Sequence, residues 1–242
     1  RQRQMCIRDR AQGARPGQFV CVYTKNAAAL LPRPISICEV NEEKTMLRLV
    51  YRTVGTGTNE FAAYHAGTEI SLLGPLGNGF PVEKAAGKRV FLIGGGIGIP
   101  PMLQLSKEIK KAGQAYCELS VLGYRNELFL NTDLEKYSQV YVATEDGSAG
   151  TKGTVLDAIK EKGLSGDVIF ACGPMPMLRA IKEYAAANNM EAYISLEEHM
   201  ACGVGACLGC VCKTKNVDAH SHVHNSRICT DGPVYNAEEV EI

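Results

Sequence analysis

The sequence predicts a small antiparallel β-barrel followed by a doubly wound parallel α/β sheet, with a short cysteine-rich segment at the end. Three observations predict it. Residues 16 to about 84 read as short β-rich runs broken by turns, with little helix. From residue 89, apolar strands alternate with amphipathic helices, the pattern of a parallel sheet with helices on both faces. Near the end, ACGVGACLGCVC (201–212) packs four cysteines into twelve positions, with no long element around them. The implied divisions are 1–10, 11–84, 85–194 and 195–242.

The first ten residues, RQRQMCIRDR, carry four arginines and no apolar periodicity. Such a segment is expected to be foreign to the natural chain and is set aside from fold reasoning. GQFVCVYT then alternates around Phe19, Cys21 and Tyr23, and RPISICEV and TMLRLVYRTV are further β-rich runs. GTGTNEFAAYHAG is a turn leading into a short helix, and EISLLGPLGNGF a strand ending in a glycine-rich loop. The texture changes at EKAAGK. RVFLI (89–93) is a continuous apolar strand, followed by GGGIGIPP and the amphipathic helix MLQLSKEIKKAG. CELSVLGYR, QVYVATEDG and DVIFACGP continue the strands, and GTVLDAIKEKG and MPMLRAIKEYAAANN the helices.

Lysine plus arginine and aspartate plus glutamate each number 26, so no net charge points to nucleic acid or an anionic membrane. No apolar run is long enough to span a bilayer and no signal-peptide core opens the chain, so the expected location is the cytoplasm. There the ten cysteines are not a disulfide framework, because that compartment keeps thiols reduced. Their clustering points to metal or redox chemistry.

Cys202, Cys207, Cys210 and Cys229 follow C-x4-C-x2-C…C, the spacing of plant-type [2Fe–2S] ligation. Glycines at 203, 205 and 209 let the backbone wrap tightly and turn N–H groups toward the sulfurs. A four-cysteine zinc site is the alternative, but a zinc ribbon pairs two C-x2-C knuckles and one occurs here. Cys212, two residues beyond Cys210 and on the same face of an extended chain, is a second candidate for the third ligand. His220, His222 and His224 alternate through a polar stretch that reads as a solvated loop.

FLIGGGIGIPP has a buried strand before it and a helix after it. Gly94, Gly95, Gly96 and Gly98 allow backbone N–H groups to approach a pyrophosphate at the helix N-terminus. Ile99 stands where the G-x-G-x-x-G fingerprint has its third glycine, so the loop departs toward the reductase type. ACGPMPM ends a later strand and puts Cys172 and Gly173 at the same carboxyl edge. Cys172 falls where a nicotinamide is expected and is the candidate catalytic residue. In RPISI, Arg33 is suited to clamp a phosphate, with Ser36 adding a hydroxyl. YRTVGTGT sets Thr56 and Thr58 in a further glycine turn with donors to offer. Arg125 in GYRNE meets a 2′-phosphate or is solvated, which leaves NAD versus NADP open.

RPISI, GPLGNGF, GGGIGIPP, ACGPMPM and EEHMACGVGACLGCVC…ICTDGPVY make residues 16–242 similar to the ferredoxin–NAD(P) reductase superfamily. The resemblance is closest to the electron-transfer subunits of B-type, NAD-linked dihydroorotate dehydrogenases. It implies a FAD-binding barrel, an NAD-binding sheet and a C-terminal [2Fe–2S] segment. It further implies FAD contacts from Arg33, Pro34, Ile35, Ser36, Val50, Tyr51, Arg52, Gly57 and Thr58. The cluster ligands it implies are Cys202, Cys207, Cys210 and Cys229, which selects Cys210 over Cys212. The implied partner is an FMN-containing subunit that oxidises dihydroorotate in pyrimidine biosynthesis, in a two-plus-two heterotetramer, with electrons running through cluster and FAD to NAD+. Two features depart from the pattern. The arginine-rich decapeptide stands where the first barrel strand is expected, and the histidine tract lengthens the stretch between Cys210 and Cys229. A ferredoxin:NAD(P)+ oxidoreductase or sulfide dehydrogenase subunit is the alternative within the superfamily, and a zinc-stabilised nucleotide-binding module the alternative outside it.

Overall fold

The computed structural model describes residues 2–6, 11–218 and 222–242, so His220 lies outside the described residues. Strands β1 (Gln2–Cys6), β2 (Phe19–Val22), β3 (Arg33–Val40), β4 (Met46–Val50) and β5 (Leu72–Leu76) form an antiparallel sheet in the order β1-β4-β3-β2-β5. Strand alternation divides its side chains. Val20, Val22, Ile35, Ile37, Leu47 and Leu49 share one core with Phe61 of helix α1 (Thr56–Ala63). Phe19 and Cys21 turn instead into a core shared with the rest of the molecule. Residues 2–6, set aside in the sequence, pair with β4 from Gln2↔Val50 to Cys6↔Met46. The ladder is made by main-chain groups, so an edge position admits a run without apolar alternation.

The second sheet contains β6 (Arg89–Gly95), β7 (Cys117–Tyr124), β8 (Gln139–Thr144), β9 (Thr151–Lys152), β10 (Val168–Cys172) and β11 (Glu191–Ser195), all parallel. Its helices are α2 (Ile99–Ala112), the single turn α3 (Asn131–Leu134), α4 (Val155–Glu161) and α5 (Met175–Ala187). Helix α2 begins earlier than the sequence pattern suggests, with Pro100 and Pro101 in its first turn, where no intrahelical N–H bond is lost. Gly113, at φ +62°, ends it by returning its N–H to the carbonyls of Ile109 and Lys110.

The cysteine-rich segment is tied to this sheet. β12 (Val211–Lys213) and β13 (Asn225–Arg227) form a hairpin, and β14 (Val234–Asn236) adds antiparallel to β11, with Ser195 opposite Val234. The sequence division at 195 misses this return, because three residues are too few to carry a period.

Polar contacts tie the first sheet to helices of the second. The Val40 N–H donates to Gln104 Oε1 at 2.7 Å, and Lys107 Nζ donates to the Val40 carbonyl at 3.0 Å. Lys107 also pairs with Glu39 and Glu42, and Arg48 bridges Glu39 at 3.3 Å and Asp133 at 3.0 Å. Among the described residues no helix is long and apolar enough to cross a membrane.

Glu118 of β7 is buried under α2 with Ser106 Oγ donating to it at 3.2 Å, and desolvation pushes its carboxyl up to about 7. The folded state therefore keeps a proton that the unfolded chain releases near its ordinary value of 4.5. Stability falls as pH rises between those values, and the full cost, about 3 kcal/mol, is present above pH 7. Glu118→Gln should stabilise the protein by roughly that amount at pH 8 and by little at pH 4.5 in urea titrations. An equal change at both pH values would show that Glu118 is not protonated in the fold.

Candidate functional site

Between the two sheets lies a cleft of about 550 Å³. Its wall includes Arg33, Pro34, Ile35 and Ser36 from β3, Val50 from β4, Tyr51 and Arg52 just after it, and Thr58 of α1. These are the residues the sequence singled out, apart from Gly57, which lies behind Arg33. A Cβ at Gly57 would stand 2.3 Å from Arg33 Nε and 2.7 Å from Cζ, so glycine makes the space that the guanidinium occupies. Arg33 also donates to the Leu31 carbonyl, which leaves other guanidinium N–H groups for an anion. The Thr58 hydroxyl accepts from the Val54 N–H at 2.9 Å and donates to the Gly55 carbonyl at 3.1 Å, closing its own turn. Thr56 is exposed at the start of α1.

The nucleotide loop meets the same cleft. Ile97 is part of the cleft wall, and Arg52 Nη2 approaches Gly96, whose φ of +53° suits glycine. Gly94 and Cys172 are partners on adjacent strands, and a Cβ on Gly98 would lie 2.2 Å from the Cys172 carbonyl oxygen. Gly95 and Gly173 likewise bring two loop backbones together, a Cβ on Gly173 falling 3.1 Å from the Gly95 Cα. The two glycine turns form one carboxyl-edge cradle, as a doubly wound sheet requires.

Cys172 stands differently from its sequence reading. Its side chain is wholly buried among Ile99, Met102 and Phe170, and it does not line the cleft. Burial, with Glu197 adding to it, pushes the thiol well above the ordinary range, and a hydrogen bond with Ser195 offsets part of this. Ser195, its partner on β11, is the residue that reaches the cleft. Cys172 is thus linked to the cleft wall through its hydrogen bond with Ser195.

Residues 195–200 complete the cleft, a role that the sequence does not assign them although 197–200 open one of the family motifs. Their signal was positional: they follow the carboxyl end of a parallel strand and run straight into Cys202. Glu197 is a solvent-exposed part of the cleft wall, and the protein beside it still raises its carboxyl above the usual range by desolvation.

The four cysteines come as two pairs, Cys207 beside Cys202 and Cys210 beside Cys229. The N–H groups of Val204 and Cys207 point at Cys202 Sγ, both at 3.4 Å, Gly205 N–H at Cys229 Sγ at 3.2 Å, and Gly209 N–H at Cys207 Sγ at 3.4 Å. Desolvation raises the Cys202 thiol, but these backbone donors outweigh it and bring it down to about 6. Desolvation and the neighbouring Cys210 push Cys229 up to about 12. Arg227 and Asp231 close the turn that presents Cys229, with Nε–Oδ2 at 2.9 Å.

Among the described residues no three metal-binding side chains converge on one ion position. Two thiol pairs with N–H donors aimed at sulfur suit a two-iron cluster, whose irons each take two ligands, better than one tetrahedral zinc. The Cys212 thiol is hydrogen-bonded with Tyr235, and His224 Nδ1 lies 2.9 Å from the Lys215 carbonyl. Arg125 Nε is 3.7 Å from Glu145, both side chains exposed.

Residues 197–241 match the family described as the iron–sulfur cluster binding domain of dihydroorotate dehydrogenase B, and residues 92–183 the oxidoreductase NAD-binding domain. Over 229 residues the chain is 44% identical to the dihydroorotate dehydrogenase B (NAD(+)) electron transfer subunit of Geobacillus sp. (strain WCH70), covering 93% of this chain and 86% of that one. It belongs to that family. The subunit from Bacillus caldolyticus is equally similar, at 44% identity over the same coverage. A solved NADH-dependent reduced ferredoxin-NADP oxidoreductase, described for flavin-based electron bifurcation, superimposes with a TM-score of 0.87 at 28% identity, covering 99% of this chain and 84% of that one. Family membership makes the chain an oxidoreductase subunit and implies a catalytic partner subunit.

Proposed function

We propose that the chain receives electrons at its cysteine pairs from an FMN-containing subunit that oxidises dihydroorotate, and delivers them by way of [2Fe–2S] and FAD to NAD+. Two copies of each subunit make up the complex, and the reaction serves pyrimidine biosynthesis in the cytoplasm. The observation that carries this reading is contiguity. One cleft has Arg33 and Ser36 on one side, Ile97 of the nucleotide loop on another, and Met200, two residues before Cys202, on a third. A flavin bound there supplies the conversion between two-electron nicotinamide chemistry and one-electron cluster chemistry.

The chain's own residues bind and orient. Arg33 offers a guanidinium for a phosphate, Tyr51 and Ile35 supply apolar wall, and the Gly94–Gly98 backbone leaves room for a pyrophosphate at the start of α2. Ser195, steadied by Cys172, and Glu197 line the side of the cleft nearest the cysteine segment.

The experiment is stopped-flow bleaching of the isolated holo-chain. NADH should bleach its flavin, and dihydroorotate should do so only after the catalytic subunit is added. Rapid bleaching by dihydroorotate alone would overturn this division of labour. Zinc in place of iron in anaerobically purified protein would overturn the assignment of the cysteines.

A further inference from the structure

Cys21 is a fifth thiol at the cysteine pairs, contributed by the other end of the sequence. It is fully buried in β2. A Cβ on Gly203 would stand 2.9 Å from Cys21 Sγ, so the loop that begins at Cys202 rests its backbone on this sulfur. Cys202 and Cys210, one from each pair, both lie within electrostatic range of the Cys21 thiol. The same face of β2 carries Phe19, which lines the cleft, and Cys21 stands opposite Pro34, another cleft residue. Phe19, Cys21, Met200, Cys210 and Cys229 share one core.

Resting on the cluster assignment above, we propose that Cys21 is a positioning residue for the iron–sulfur site, seating the Cys202 loop and donating its S–H toward the cluster's sulfurs from the flavin side. A donor directed at these sulfurs stabilises the more negative, reduced cluster and so raises its reduction potential. A hydrogen bond to a charged group changes the ratio of reduced to oxidised cluster at fixed potential by about tenfold. The backbone N–H groups of residues 204, 205, 207 and 209 approach from within the loop. Cys21 is the donor from the barrel sheet.

The test is a dithionite titration of the holoprotein monitored by electron paramagnetic resonance, with iron counted in each sample. Cys21→Ala removes the donor and Cys21→Ser keeps one. In Cys21→Ala the midpoint should fall by about 59 mV, the tenfold change for a one-electron couple, while Cys21→Ser stays near the wild-type value. Loss of iron in Cys21→Ala alone, with Cys21→Ser retaining it, would also support the seating role. An unchanged midpoint and unchanged spectrum in iron-loaded Cys21→Ala would reduce Cys21 to a packed core thiol. Equal shifts in both variants would assign the effect to volume and overturn the donor role. A wild-type protein with no reducible iron–sulfur signal would instead refute the cluster assignment itself.

Discussion

Cys207→Ala is expected to abolish dihydroorotate-dependent NAD+ reduction by the reconstituted complex while NADH still bleaches the flavin. Cys207 is exposed, paired with Cys202, and holds the Gly209 N–H at 3.4 Å. Its removal breaks one of the two thiol pairs outright. Loss of an outer-shell partner typically costs about 10–100-fold in metal affinity or activity, and loss of a ligand exceeds that. The cleft, by contrast, has no wall residue beyond Met200 in the cysteine loop, so flavin and nucleotide keep their contacts. Iron analysis, flavin content and the two half-reactions, measured on one preparation, separate these effects. Full dihydroorotate:NAD+ turnover by an iron-free Cys207→Ala protein would show that electrons bypass the cysteines.

The same two-sided logic explains how far the sequence could be read. The glycine loop is legible because its strand and helix flank it directly, so its context is local. The cysteine spacing is legible for the same reason, and the two pairs found in the fold preserve the chain order of their members. Arg33 and Gly57 are each visible in the sequence, but their relation is not: only folding shows that the glycine clears space for the guanidinium. Residues 197–200 open one of the family motifs, but the motif does not reveal their place in the cleft, which follows from the position of β11 in the sheet. The sequence puts Cys172 at the carboxyl edge of its strand, and the fold buries its side chain there. Strand register puts Ser195 beside it and hands the cleft to the serine, a fact that depends on which strands pair. Cys21 shows the same limit. Alternation places it on a buried face, while its proximity to Gly203 spans most of the chain.

Gly57→Val should release FAD. The first atom of the new side chain would fall 2.3 Å from Arg33 Nε, far inside contact distance, and two further methyl groups would follow. Gly57 is buried in the first turn of α1, so the helix backbone has little freedom to retreat. Arg33 is the flexible partner and must leave its place between Gly57 and the Leu31 carbonyl. A displaced guanidinium forfeits a charge-assisted contact worth about 1.5–3 kcal/mol, so FAD affinity should weaken by roughly 10–150-fold. Quenching of FAD fluorescence by the apoprotein measures this, with circular dichroism as the check on folding. Gly55→Ala is the control, because a Cβ there meets nothing within 4 Å and its φ of −166° is open to any residue. The decisive comparison is a double-mutant cycle with Arg33→Ala. If Gly57 matters through the guanidinium, adding Gly57→Val to Arg33→Ala should cost little more FAD affinity, and the two losses will be far from additive. Additive losses would mean that the glycine serves the turn itself, and that the guanidinium is held in place by something other than the space beside it.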